Sequence, residues 1–533
     1  MKKTISDGSE KTTSWCKLAE WCFPGKAGRI FASGCVFPVE NERKQGYIIV
    51  YPLIMKHVRR DVMAKDLTRG NPLKIILLFS IPLAIGNACN QLYSMVDSMI
   101  VGRWCGPDKL AAVGNAGSVI FMLLGFFWGL PAGLTIITGQ RFGAKDAAGV
   151  RRSFCAAVVL CSAFVAAVTL VFLRYLRPIL VAMNTPENIL EDSLRYLRII
   201  VAGTPSMTFY LLMSFLMRSL GDSKRPLYVI VFASVLNAGL DLLLVCKLGM
   251  EVAGAAYATV ASQFVSGLIC LGIVLKKFPE LVPSGRSDWR IDWRFYWEHL
   301  RVAVPMAFQF TVTGFGCVIL QSAFNQFGAG TVAATTAAGR LEGLICIPFF
   351  AIGTTLAAYA AQNSGANNYR RIVVGVRSGW LITAVISVAG TVLMMVFSAQ
   401  LLQMFLDVKA SPEILKAGRQ YIFTVAPAYI SLGMILIFRN TLQGMGCSLV
   451  PLLGGAMETV SRIFTAVFLA EWFGYTGACF ASGITWTITG VMLLAYYLYE
   501  IRARLKGKRT NLGATHPVGL GRSCKCAKSS RPT

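Results

Sequence analysis

The chain has 533 residues, 55% of them hydrophobic and only 15% charged, with a mean hydropathy of +0.57. Soluble domains carry about 25% charged residues, so this composition excludes an ordinary water-soluble protein and points to a polytopic membrane protein. The formal net charge of +26 would suggest nucleic acid in a soluble chain, but here the basic residues fall in alternate short loops and no nucleic-acid partner is expected.

Residues 1–65 read as a basic extension, expected to be disordered or to reflect an upstream misannotated start. They lack sustained periodicity, and the apolar run 47–55 is interrupted by Pro52 and too short to span a bilayer. No secretory signal is evident, and Met63 would be an ordinary start for a polytopic protein. Twelve apolar spans of roughly 20–28 residues follow, near 73–102, 110–139, 152–173, 192–218, 226–246, 252–275, 300–327, 333–361, 375–398, 414–442, 449–471 and 476–500. Each is long enough to cross about 30 Å of hydrocarbon at ~1.5 Å per residue. A basic tail, 506–533, closes the chain.

Loop charge orients the spans. Loops after spans 2, 4, 6, 8 and 10 carry Arg141, Lys145, Arg151, Arg152, Lys224, Arg225, Lys276, Lys277, Arg370, Arg371 and, near the last, Arg439; the alternate loops are short or hold Glu187, Glu191, Asp192, Asp407 and Glu471. Both ends of the core are therefore expected in the cytoplasm of a plasma-membrane protein. The fifteen cysteines include no CxxC pair; those inside spans, such as Cys155, Cys270 and Cys317, serve as small hydrophobes, and Cys524 and Cys526 are too isolated to make a metal site.

The halves repeat at an offset of roughly 222–225 residues. SIPLAIGN with Pro82 lies over AVPMAFQF with Pro305, GQRFGA (139–144) over AQNSGA (361–366), and RSLGDSKRPL (218–227) over QGMGCSLVPL (443–452). A six-span repeat enters the membrane twice in one orientation, which predicts an all-α protein of two parallel six-helix lobes related by a pseudo-two-fold axis along the membrane normal. The expected lobes are 66–285 and 286–505.

Asp97, near the end of span 1, is the focal residue. A carboxylate inside a span is costly unless it faces water or a partner, so it marks an ion or substrate pathway or else a solvated helix end. Asp97 and Asp241 both fall in the outer half of the membrane, where with Asn237 they offer oxygen ligands to a hard cation or share a proton. Asn237 and Asp241, one turn apart, could also form a local polar pair. Pro82 lacks an N–H and clashes with the carbonyl of Leu78, so span 1 is expected to bend there, either as a hinge or as a fixed kink shaped for packing.

The stretches IPLAIGNACNQLYSMVDSMIVGR, GQRFGAKD, RSLGDSKRP and VLNAGLDLLLVCKLGMEVAGAAYATVASQ resemble the MATE family of multidrug and toxic compound extrusion transporters over about residues 65–500. The resemblance implies an antiporter, not an enzyme, that exports organic and often cationic compounds against inward sodium ions or protons and needs no cofactor. It implies a cation site of Asp97, Asn237, Asp241 and Tyr93, with Asp97, Asn237 and Asp241 as sodium ligands if sodium is the coupling ion. Pro305 is the equivalent hinge expected in the second lobe. The C-lobe carboxylate of one sodium-coupled branch is replaced by Thr313. Instead Arg340 and Glu342 stand on span 8, and Glu458 and Arg462, i to i+4 on span 11, are expected to pair. Asn90, Gln91, Gln309 and Glu342 are the candidate substrate contacts. His57, His299 and His516 lie outside the span interiors, which disfavours a histidine relay. A lipid-linked oligosaccharide flippase would need a more basic cavity, and a membrane enzyme would need a catalytic constellation such as HExxH or GxSxG that is missing. The expected partners are small organic substrates and the bilayer, with the chain a monomer.

Overall fold

The computed structural model describes residues 66–105, 107–182, 185, 187–404 and 412–507; the extension 1–65, the tail from 508, His57, His516, Asp407, Cys524 and Cys526 lie outside them. Among the described residues the chain is helical apart from short connections. Span 1 is Pro72–Trp104, span 2 Pro107–Gly143, span 3 Ala147–Ala182, span 6 Glu251–Lys277, span 7 Trp293–Asn325, span 8 Ala329–Gly365 and span 9 Tyr369–Val396. Span 4 is bent by 43° between Glu187–Ala202 and Thr204–Ser219. Span 5 runs from Lys224–Asp241 into a π-helical turn, Leu242–Lys247. Span 10 joins Pro412–Val425 to Tyr429–Gly444 through a short 3-10 turn, and the helical run Leu449–Leu505 breaks at Gly474 (φ 59°, ψ −140°) to give spans 11 and 12. The twelve-span, two-lobed reading holds.

Each lobe has its own apolar core. Residues from Ile100 to Leu281 form one and residues from Phe324 to Ile501 the other, and the lobes trade single helix ends: Ala303 and Ala307 of span 7 pack into the first core, Ile76 of span 1 into the second. The span 2–span 7 seam is close because span 2 lays Gly125, Gly129 and Gly133 on one face. A Cβ on Gly129 would stand 2.6 Å from the carbonyl oxygen of Met306, so only hydrogen lets the backbones meet. Small residues at four-residue spacing are how membrane helices gain contact without a hydrophobic drive between them.

The ends of spans 2 and 8 that bear the basic loops seal against each other. Gln140 of span 2 donates to the carbonyl of Gly444 on span 10 at 3.0 Å, and Gln362 of span 8 donates to the carbonyl of Ser219 on span 4 at 2.8 Å. Gly143 sits against the Gln362 carbonyl and Gly365 against the Gln140 carbonyl, leaving no room for a Cβ on either. Leu67, just before span 1, is fully buried and gives its N–H to Gln362 Oε1 at 2.8 Å. Asn71 then caps span 1 by accepting from the Leu73 N–H at 3.0 Å, with Pro72 in the first turn where its missing N–H costs nothing. Pro82 is buried inside the continuous helix of span 1, and Pro305 lies likewise inside span 7.

Two of the sequence expectations need correction. Arg439 is not a loop charge: span 10 stays helical to Gly444, so Arg439 is carried inside, 7% exposed, to an acidic partner. His299 is not at a wetted boundary, since span 7 begins at Trp293 and encloses it; fully buried, it meets Ser153 of span 3 at 2.7 Å and the Phe295 carbonyl at 2.9 Å. One ring nitrogen thus ties span 7 to span 3, while the other is satisfied within span 7.

Candidate cation and substrate sites

Spans 1 and 5 pack together and bring Asp97 and Asp241 into one pocket, with Asp97 close enough for its charge to act on Asp241. Burial is deep: Asp97 is 9% exposed, Asn237 1% and Asp241 0%. In the amide orientation that satisfies its neighbours, Asn237 donates to Asp241 Oδ2 at 2.9 Å and accepts from the Thr259 N–H at 3.3 Å. Tyr93, one turn before Asp97, donates instead to Thr259 Oγ1 at 3.0 Å. The local pair and the joint site therefore coexist, since Asn237 steadies Asp241 while leaving one oxygen of each carboxylate unused. Oδ1 of Asp97 and Oδ1 of Asp241 are buried without a hydrogen-bond donor.

Such atoms are expensive. A buried acceptor without a donor costs about 1–3 kcal/mol, and more when charged, unless a proton or cation completes it. Two free carboxylate oxygens supported by an amide and hydroxyls are a hard-oxygen set that fits sodium or a shared proton. The backbone adds to this: the π-helical turn directly after Asp241 interrupts the regular ladder, a feature frequent at functional sites. Sequence reasoning missed Thr259 on span 6 and Tyr196 on span 4, whose ring lies within electrostatic reach of both carboxylates. Their signal was slight, because a hydroxyl in an apolar helix usually bonds to its own preceding turn.

At the end of the lobe opposite the sealed glutamines, Lys109 ties the starts of three helices together. Its ammonium lies 2.7 Å from Glu251 of span 6 and 2.9 Å from Asp192 of span 4. The hydrogen bond to Glu251, followed by that to Asp192, raises the Lys109 pKa above the ordinary lysine value.

The C-lobe centre is of opposite sign. Glu458 is held between two guanidiniums, Arg439 at 2.7 Å and Arg462 at 3.1 Å, so the expected Glu458–Arg462 pair is present with a third member. Arg462 Nη1 also donates to Cys317 Sγ at 3.2 Å, while Nε of both arginines has no acceptor. Glu342, half-buried on span 8, accepts from Tyr421 at 3.0 Å and lies within electrostatic reach of Arg462. Thr313 accepts from Gln309 at 3.3 Å.

Asn90 and Gln91 of span 1, Gln321 of span 7 and Arg340 of span 8 are exposed although they sit in apolar helices. Polar side chains in such positions mark a water-filled space rather than lipid. Gln309 differs: fully buried, it accepts from Gln443 at 3.1 Å and is committed to helix packing in this conformation.

Fold and sites together define a two-lobed membrane transporter with its polar centres inside the lobes. The MatE family profile matches residues 82–243 and again 305–468, each match opening on a helix proline, and the chain belongs to this family. A probable multidrug resistance protein of Bacillus subtilis, YpnP, is 29% identical over 82% of this chain and 97% of its own length. An FAD transporter of Shewanella oneidensis is 23% identical over 80% of this chain and 94% of its own. Among solved structures, a MATE protein in a bent conformation superposes with a TM-score of 0.78 at 23% identity, covering 84% of this chain and 99% of that one; a straight conformation matches at 0.77.

Proposed function

We propose that this protein is a secondary antiporter of the plasma membrane that exports organic cations in exchange for inward sodium ions or protons, with Asp97 and Asp241 as the coupling groups. The observation carrying the reading is the pair of buried, donorless Oδ1 atoms. A cation or proton that enters removes their desolvation cost, so the loaded and empty pockets favour different helix arrangements, as any ligand-driven shift requires. Asn237 and Tyr93 position the carboxylates through Thr259. Pro82 supplies the bend point of span 1, and Pro305 does the same for span 7. With the basic loops on the cytoplasmic side, the sealed Gln140–Gln362 end faces inward and this conformation is closed to the inside. Substrate enters among Asn90, Gln91 and Glu342; Gln309 joins it only if span 10 moves away. The protein works as a monomer, needs no cofactor and catalyses no covalent chemistry. The test is transport by purified protein in liposomes, with sodium and pH gradients imposed separately and rhodamine 6G as cargo. Dye movement that ignores both gradients would overturn the reading.

A further inference from the structure

The internal repeat places Arg462 where the first lobe has Asn237, and Gly316 where it has Tyr93. The space a tyrosine would fill is taken by the guanidinium: a Cβ on Gly316 would stand 2.9 Å from Thr459 Oγ1 and 3.4 Å from Arg462 Nη1. The C-lobe thus holds, at the place equivalent to the carboxylate pocket, a group of inverted charge. Arg439 and Arg462 share the single carboxylate Glu458, which leaves one positive charge over in that triad. Glu342 faces it from span 8. Arg462 has five N–H donors, of which only two have acceptors, one of them the weak thiol of Cys317. Both arginines are nine-tenths or more buried with Nε unpartnered. Cys317 is exposed, one turn from the exposed Gln321, so the guanidinium that donates to it reaches the exposed face of span 7.

We propose that Arg462 is the substrate-recognition residue that takes an acidic group, carboxylate or phosphate, of the exported compound, while Glu342 takes its cationic part. The proposal rests on the export reading above and narrows its substrate class. A planar guanidinium with free N–H groups in a poorly solvated site binds such an oxyanion by short charge-assisted hydrogen bonds. Glu458 and Arg439 hold Arg462 in place and do not themselves meet the cargo.

The experiment compares two dyes that differ in one group, rhodamine 6G, an esterified cation, and rhodamine 19, its free acid, by fluorescence anisotropy on purified wild type, Arg462→Gln and Arg462→Lys. Arg462→Gln leaves the Arg439–Glu458 pair balanced, so the variant is expected to fold; Arg462→Lys keeps the charge and serves as the second variant. Rhodamine 19 should lose about ten-fold or more in affinity in Arg462→Gln, the scale of a charge-assisted hydrogen bond, with rhodamine 6G unchanged and Arg462→Lys partly restored. Equal loss of both dyes, or no loss of either, would overturn the proposal and leave the export reading standing. Failure of wild type to bind either dye would sink both. Inorganic phosphate forms the other arm: if the bare ion binds wild type as tightly as rhodamine 19, the pocket belongs to free anions and the substrate assignment is wrong.

Discussion

The two lobes share a fold and a helix order but keep opposite electrostatic interiors. The first lobe buries two carboxylates with one oxygen of each unsatisfied; the second buries a carboxylate whose two oxygens are both taken by arginines. A group left incomplete by its own lobe waits for something mobile, whereas a group completed from spans 10 and 11 holds those spans together. The same offset that aligns the prolines therefore aligns a working centre with a centre that is partly structural.

The largest effect expected from this contrast is on transport. Asp97→Asn and Asp241→Asn should each reduce gradient-driven dye export to background, yet leave thermal stability equal or higher, because each removes a buried, like-charged neighbour. Full export by either variant would remove that residue from the coupling centre. Glu458→Gln should do the reverse. It strips two buried guanidiniums of their acceptor and is expected to cost about 3–5 kcal/mol, read as a lowered melting temperature in detergent; an unchanged melting curve would show that the triad does not hold spans 10 and 11.

Smaller effects test the seams. Gly133→Leu forces side-chain atoms into the backbone of Ala303 and should cost about 1–3 kcal/mol, whereas Gly343→Leu on span 8, where a Cβ meets nothing within 4 Å, should be nearly neutral. Similar melting temperatures for both would mean that the span 2–span 7 contact is soft. Pro82→Ala restores a backbone hydrogen bond in span 1 and should slow coupled export several-fold without loss of expression; wild-type turnover would argue that the proline serves packing alone. The smallest effect is at Lys109, half-exposed to solvent, where Lys109→Met should cost no more than about 1 kcal/mol. Its folded pKa is raised, so its contribution is complete below the ordinary value of 10.5 and fades only as pH rises through the folded value above that. A melting-temperature difference between Lys109→Met and wild type that disappears already near neutral pH would contradict this sign.

Much of this was legible before any coordinates. Apolar run lengths and alternating loop charge disclose the spans, since the bilayer fixes both, and an ionised residue such as Asp97 stands out in an apolar run because lipid makes it costly. Arg439 misled for the same reason: a basic residue close to a predicted helix end fits the loop pattern, and only its partner Glu458, 19 positions away on span 11, shows that it points inward. Gln309 was legible as a polar residue in a span but not as one already satisfied, because its partner Gln443 lies 134 positions away. Hydroxyls such as those of Thr259 and Tyr196 were silent, being common in helices of every kind.

The crossed glutamines carry a consequence for timing. Gln140 reaches from one lobe to the other, and Gln362 reaches back by the equivalent bond. Because each lobe supplies both a hook and an eye, parting the lobes breaks the two bonds together, and half-opened intermediates keep neither benefit. Leu67 is fastened to the same Gln362 and to Asn363 beside it, so the chain entering span 1 is tied to the side chain that closes the seal. Opening should then be a single all-or-none event with a sharp threshold, which guards the membrane against a leak through a pathway open at both ends.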